Sequence, residues 1–209
     1  MAKRRKIQEY PHISLDPEKI TGRLDFGEIF GRSAPVHIEI GSGKGTFILD
    51  QARAHPEFDY LGIEWARKYY LYTVDRLGRW QVRNVRMIRT DAAVFIAENL
   101  ADESVDCFHV YFPDPWPKKR HNKRRFFCPE NMENVLRCLK MSGLLRIATD
   151  HKDYFEAVTE LMPRYMQRFK EVVFEQVNPD KDEWTGTNYE RKYKIENREI
   201  YTMALEKIR

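Results

Sequence analysis

From Val36 onward the chain alternates short apolar strands with amphipathic helices, and that alternation leaves few folds open to it. Val36, Ile38 and Ile40 alternate with His37 and Glu39, the turn Gly41-Ser42-Gly43-Lys44-Gly45 follows, and Phe47, Ile48, Leu49 and Ala52 then fall at helical spacing. Residues 60–64 form a second strand, ahead of a helix with Ala66, Tyr70, Val74 and Leu77 on one face. Residues 85–88 and 104–112 are further strands, separated by a helix over 92–100. Met132, Val135, Leu136 and Leu139 keep i, i+3, i+4, i+7 spacing, which places a helix before the strand at 144–148; residues 150–165 are again helical. The last two strands, 170–177 and 198–205, are joined by a polar loop without a helix, so they read as an antiparallel edge. Apolar strands alternating with helices require a mostly parallel sheet covered on both faces by right-handed crossovers. The expectation is an α/β, doubly wound, mostly parallel seven-stranded sheet with an antiparallel C-terminal edge, held in one domain over residues 35–209. Residues 1–34 are polar, irregular in pattern and basic between Lys3 and Lys6, and read as a basic N-terminal arm.

A chain of 209 residues with 42% hydrophobic side chains can bury one sizeable core. Its three cysteines, Cys107, Cys128 and Cys138, are odd in number and include no C-x-x-C pair. Neither a disulfide framework nor a zinc site is indicated. No apolar run approaches the roughly 20 residues of a membrane span, and the basic start lacks the apolar stretch of a signal peptide. A cytoplasmic protein with no metal and no membrane partner is expected, compatible with a monomer or a homodimer. The formal charge of +4 is modest, so its placement says more than its size.

That placement is uneven. The fourth strand runs into Phe112-Pro113-Asp114-Pro115-Trp116-Pro117, and six of the next eight residues, 118–125, are Lys or Arg. Proline fixes its own φ and drives the preceding residue out of the right-handed helical region, so Asp114 and Trp116 are expected in stiff, extended backbone. A basic run this dense belongs on the surface and suits a phosphate backbone. One short stretch therefore presents a rigid carboxylate beside a polyanion grip.

Three ligand chemistries compete for the first glycine turn. A phosphate-binding P-loop fails because Ile38 stands where its first glycine belongs and Gly45 where Ser or Thr should follow Lys44. A dinucleotide fingerprint fails because the third glycine arrives one residue early, with Thr46 in its place, and because Glu39 would oppose a pyrophosphate. A cationic nucleoside without phosphate remains, since an acid suits its charge and glycines let the backbone approach it. Glu64 ends the second strand, where a carboxylate accepts from both hydroxyls of a ribose. Asp91 ends the third strand and also stands where it can cap the following helix.

The E-x-G-x-G-x-G spacing resembles the first motif of class I S-adenosylmethionine-dependent methyltransferases. Together with residues 113–125 and Thr187-Asn188-Tyr189-Glu190, it resembles the bacterial tRNA (guanine-N7)-methyltransferase family over roughly residues 36–205. Where that family often has a second histidine, this chain has Asn122. The resemblance implies a Rossmann-like class I methyltransferase fold, with S-adenosyl-L-methionine as cofactor and tRNA as partner. The implied reaction methylates N7 of the guanosine at position 46 in the variable loop. It further implies that Glu39, Gly41, Gly43, Glu64, Asp91 and Asp114 line the cofactor site, with Asp114 also catalytic. Lys118, Asp150, Thr187, Asn188, Tyr189 and Glu190 would contact the target guanosine. Arg120, His121, Asn122, Lys123, Arg124 and Arg125 would meet RNA. Two other readings stay open at this level: an RNA-binding protein that keeps the fold without catalysis, and a methyltransferase of another RNA or of a protein. His109 reads as structural, and Trp65 and Tyr69 to Tyr72 as core packing, because their spacing is helical.

Overall fold

The computed structural model describes residues 6–174 and 199–209. Its strands are β1 (Ser14–Leu15), β2 (Val36–Ile40), β3 (Asp59–Ile63), β4 (Val85–Ile88), β5 (Val105–Tyr111), β6 (Leu139–Thr149), β7 (Phe169–Val172) and β8 (Tyr201–Lys207). The helices are α1 (Phe26–Phe30), α2 (Thr46–Ala54), α3 (Arg67–Arg79), α4 (Ala92–Asn99), α5 (Pro129–Cys138) and α6 (Lys152–Leu161). They build one eight-stranded sheet in the order β1-β4-β3-β2-β5-β6-β8-β7. Pairings from β1 through β6 are parallel, and β8 runs antiparallel between β6 and β7.

The mostly parallel sheet and its antiparallel end are as the sequence pattern predicts, with the closing pair of strands at that end and β8 lying between β6 and β7. The strand count differs, eight in place of seven. The eighth strand comes from the amino-terminal arm. Ser14 and Leu15 extend the sheet beyond β4, and the Met87 amide donates to the Ile13 carbonyl at 2.7 Å. A strand of two residues has no periodicity to read. What anchors the arm is packing: Ile13 is buried, and the ring of Tyr10 lies so close to Gly78 of α3 that any Cβ there would clash with it.

The core lies on both faces of the sheet. On one face Ile13, Ile48, Leu49, Tyr60, Val74 and Leu77 join the sheet to α2 and α3. On the other, Phe95, Ile96, Val135, Leu136, Tyr154 and Val158 bring α4, α5 and α6 against β2, β5 and β6. Strand order reverses at β2, since β3 lies on one side of it and β5 on the other. In such sheets a crevice opens at the carboxyl ends of those strands.

Candidate active site

At that crevice, β2 ends in the glycine turn and α3 holds the turn in place. The amides of Gly41 and Ser42 donate to the Ile63 carbonyl at 2.8 and 3.2 Å. Thr73 Oγ1 donates to the Gly43 carbonyl at 2.8 Å, and Arg76 Nη1 donates to the Lys44 carbonyl at 3.2 Å and to Thr46 Oγ1 at 2.6 Å. Neither Thr73 nor Arg76 belongs to a motif that marks it in the sequence. The available signal was a threonine on the buried face of an amphipathic helix, where a polar group needs a partner.

The glycines divide the work. Gly45 has φ 64 and opens α2, and a Cβ there would clash with Thr73 Cγ2 and lie 2.9 Å from its Oγ1. Gly41 has φ 79, but a Cβ there would meet nothing within 4 Å. Gly45 is therefore a packing glycine, and Gly41 borders open space. Gly45→Ala is expected to destabilise the fold by about 3 kcal/mol, through left-handed backbone strain plus overpacking, whereas Gly41→Ala costs only the strain, about 1 kcal/mol. Urea denaturation of the two variants reads the difference, and equal midpoints would show that Thr73 yields freely.

Two carboxylates flank the turn. Glu64 accepts from the Gly43 amide at 2.7 Å through Oε2 and from the Ala66 amide at 2.8 Å through Oε1. The carboxylate is thus fixed by backbone, and each oxygen keeps a lone pair for a ligand hydroxyl. Glu39 is only 6% exposed, and among the described residues its Oε2 has no hydrogen-bond partner. Burial, offset in part by Ser42 and reinforced by the charge of Glu64, pushes its carboxyl up to about 7. A buried acid with an unpaired oxygen is what a cationic ligand completes.

Asp91 caps α4, its Oδ1 accepting from the Ala93 and Val94 amides at 2.9 and 3.2 Å. Asp150 does not cap α6: that position belongs to His151, whose Nδ1 accepts from the Tyr154 amide at 3.3 Å. Asp114 is exposed, three residues past the end of β5, the strand beside β2. Thr187, Asn188, Tyr189 and Glu190 lie outside the described residues.

Trp116 departs from the extended backbone expected of it, whereas Asp114 is not among the positive-φ residues. Phe112 and Trp116, each before a proline, have φ of 49 and 45. Residues before proline are ordinarily driven to extended backbone, and bulky side chains rarely take a positive φ, so both positions are outliers on two counts. Two such residues carry strain of about 1–3 kcal/mol each, a feature that clusters at ligand sites. The basic run is held by what it folds back on. Residues 119–124 form a 3-10 turn, the Arg124 guanidinium sits 4.9 Å from the Trp116 ring, and the Arg125 guanidinium 5.1 Å from that of Tyr154. Arg125 Nε also donates to the Pro115 carbonyl at 2.9 Å. Arg125 is thereby partly occupied in anchoring, while Lys118, Lys119, Arg120, Lys123 and Arg124 are exposed.

Behind this site, His109 is buried on β5 with its Nε2 3.2 Å from His37 Nδ1 and its Nδ1 2.9 Å from the Tyr111 hydroxyl. Burial lowers the His37 imidazole to about 4 and that of His109 well below its ordinary value. Cys107 Sγ lies within 4.8 Å of both rings, but the nearby Arg146 guanidinium opposes any added cation. The cluster is a neutral polar seam inside the fold.

Sheet order, the glycine turn at the reversal point and the carboxylates around it define the class I S-adenosylmethionine-dependent methyltransferase fold. The crystal structure of the 16S rRNA methyltransferase KamB superposes with a TM-score of 0.64 at 14% identity, over 88% of this chain and 92% of that one. A family model described as "Putative methyltransferase" matches residues 33–203. The tRNA (guanine-N7-)-methyltransferase of Listeria innocua is 34% identical over 95% of this chain and 92% of its own length. That of Rhodopirellula baltica is 41% identical over 73% of this chain, which spans 60% of that relative's length. The chain belongs to the tRNA (guanine-N7-)-methyltransferase family. Among the described residues no helix is long and apolar enough to cross a membrane.

Proposed function

We propose that this chain transfers a methyl group from S-adenosylmethionine to N7 of a guanosine in tRNA, at position 46 of the variable loop. The observation that carries the cofactor half is the buried Glu39 carboxyl with an unpaired oxygen, set beside the open space at Gly41. Glu39 would hold the cationic end of the cofactor, Glu64 its ribose hydroxyls, and Asp91 its base, with Gly41 and Gly43 giving close backbone approach. When bound, the cofactor supplies an electrophilic methyl group.

Guanine N7 has an in-plane lone pair and no proton, so the protein needs no general base. Its task is to position the two reactants. As N7 is alkylated the purine becomes cationic and its N1 and N2 hydrogens more acidic. A fixed carboxylate accepting from that edge bonds more strongly in the transition state than in the ground state. Asp114 would take this role, with Asp150 or Glu190 as a second acceptor and Lys118, Thr187, Asn188 and Tyr189 around the base. Arg120, His121, Asn122, Lys123 and Arg124 would meet phosphates, with Arg125 bracing them. The family's relatives and the exposed basic run beside Asp114 support the RNA half.

The test uses labelled cofactor, unmethylated tRNA and mapping of the label by borohydride and aniline scission, which cuts at 7-methylguanosine. Cleavage at the variable-loop guanosine is expected. Label on any other base overturns the assignment.

A further inference from the structure

Trp65, Tyr69 and Tyr72 are not in the core. They are 67%, 38% and 41% exposed, while Tyr70, Thr73, Val74 and Leu77 of the same helix are buried. The stretch thus has two faces. Tyr70, Thr73, Val74 and Leu77 turn inward, and Lys68, Tyr69 and Tyr72, at i, i+1 and i+4, share the exposed face, with Trp65 just ahead of the first turn. The charges on that helix are one-sided as well. Arg67, Lys68, Arg76 and Arg79 are its cations, and its one acid, Asp75, is buried and bonded to Arg79 Nε at 3.0 Å and to the Gln8 amide at 3.1 Å. A row of exposed aromatic rings beside the exposed Arg67 and Lys68, on a helix with no exposed acid of its own, is complementary to nucleic acid bases and phosphates.

The row also has a defined position. Trp65 follows Glu64, whose carboxylate fixes the glycine turn, and Thr73 and Arg76 tie the same helix to that turn. The row begins at the carboxyl end of β3, whereas the basic run leaves the carboxyl end of β5; β2 lies between them. Two strand spacings, about 10 Å, separate the two starting points.

We propose that Trp65, Tyr69 and Tyr72, with Arg67 and Lys68, form a second RNA-binding surface across the crevice from residues 118–125, on which unpaired bases of the substrate tRNA stack. The RNA then straddles the crevice, held by phosphates on one side and by bases on the other, with the target guanosine between. This rests on the tRNA reading above and deepens it.

The test compares wild type with the Tyr69→Ala/Tyr72→Ala double variant, the Tyr69→Phe/Tyr72→Phe double variant and Lys68→Ala. S-adenosylhomocysteine affinity, tRNA affinity without turnover, and kcat and KM for methylation are measured for each. The alanine pair is expected to weaken tRNA binding and raise its KM by 10-fold or more, taking about 10-fold per stacked base, with kcat and S-adenosylhomocysteine affinity unchanged. The phenylalanine pair should bind like wild type, because stacking needs the ring and not the hydroxyl. Lys68→Ala should reduce the salt dependence of tRNA affinity by about one counterion. Unchanged tRNA affinity in the alanine pair overturns the surface. A wild-type protein that does not methylate tRNA overturns instead the reading on which the surface rests, and the binding arm still reports on the surface.

Discussion

Asp114→Ala is expected to slow methyl transfer to tRNA by about 10²–10³-fold, the usual cost of removing one group that stabilises developing charge. Binding of tRNA should barely change. The asymmetry follows from where the carboxylate stands. Affinity for the polynucleotide comes from many exposed cations, among them Lys118, Lys119, Arg120, Lys123 and Arg124. A single acid beside them contributes nothing to phosphate attraction. In the proposed role its contact with the guanine edge would strengthen only as the purine becomes cationic, so the loss belongs in kcat and in kcat/KM equally, with KM for tRNA near its wild-type value. Asp114→Asn keeps an acceptor oxygen without the charge and should fall between the two. A parallel tenfold rise in KM with kcat preserved would make Asp114 a binding residue, and unchanged turnover would remove it from the chemistry.

The parts of this site legible in the sequence are those fixed by local spacing. Glu39 and the turn after it, Glu64 at a strand end and Asp91 at a helix start are each set within a few residues of a periodic element, and the sheet follows from the strand pattern alone. What escaped depends on contacts between distant segments. Thr73 and Arg76 matter because α3 packs on the glycine turn some thirty residues earlier. Gly62 leaves room for the side-chain ends of Met87, Ser42 and Ile48, which would have to shift to admit a Cβ there. The exposure of Trp65, Tyr69 and Tyr72 is not legible from spacing, because helical spacing identifies a face without saying which way it points. Here Thr73, a polar residue, lies on the buried face while the tyrosines beside it lie outside. Trp116 departs from the preference of residues before proline for extended backbone, which nothing in the local sequence foretells.

Glu39→Gln is expected to act in opposite directions on the ligand-free protein and on its complex. The carboxyl is raised from 4.5 to about 7, chiefly by burial. Between those pH values the folded protein keeps a proton that the unfolded chain has released. Stability from this group therefore falls as pH rises through that window, by at most roughly 3 kcal/mol, and stays low above it. Glutamine cannot ionise, so the ligand-free variant should equal wild type near pH 4.5 and exceed it above pH 7 in urea midpoint. Cofactor binding should move the other way. If the ionised carboxylate faces the ammonium or sulfonium charge, wild-type affinity for S-adenosylmethionine rises with pH through about 7 as Glu39 gives up its proton. The variant should bind about 10- to 100-fold more weakly at pH 8, the loss expected when a charge-assisted hydrogen bond is removed, and should lack the rise in affinity that Glu39 ionisation gives wild type. Calorimetry at pH 6 and pH 8 in buffers of different ionisation enthalpy separates the two effects, because wild type must release a proton on binding at pH 6 and the variant has none to release. A more stable variant whose cofactor affinity is unchanged at pH 8 would mean that Glu39 is strained by burial alone, and the cationic end of the ligand would have to be placed elsewhere.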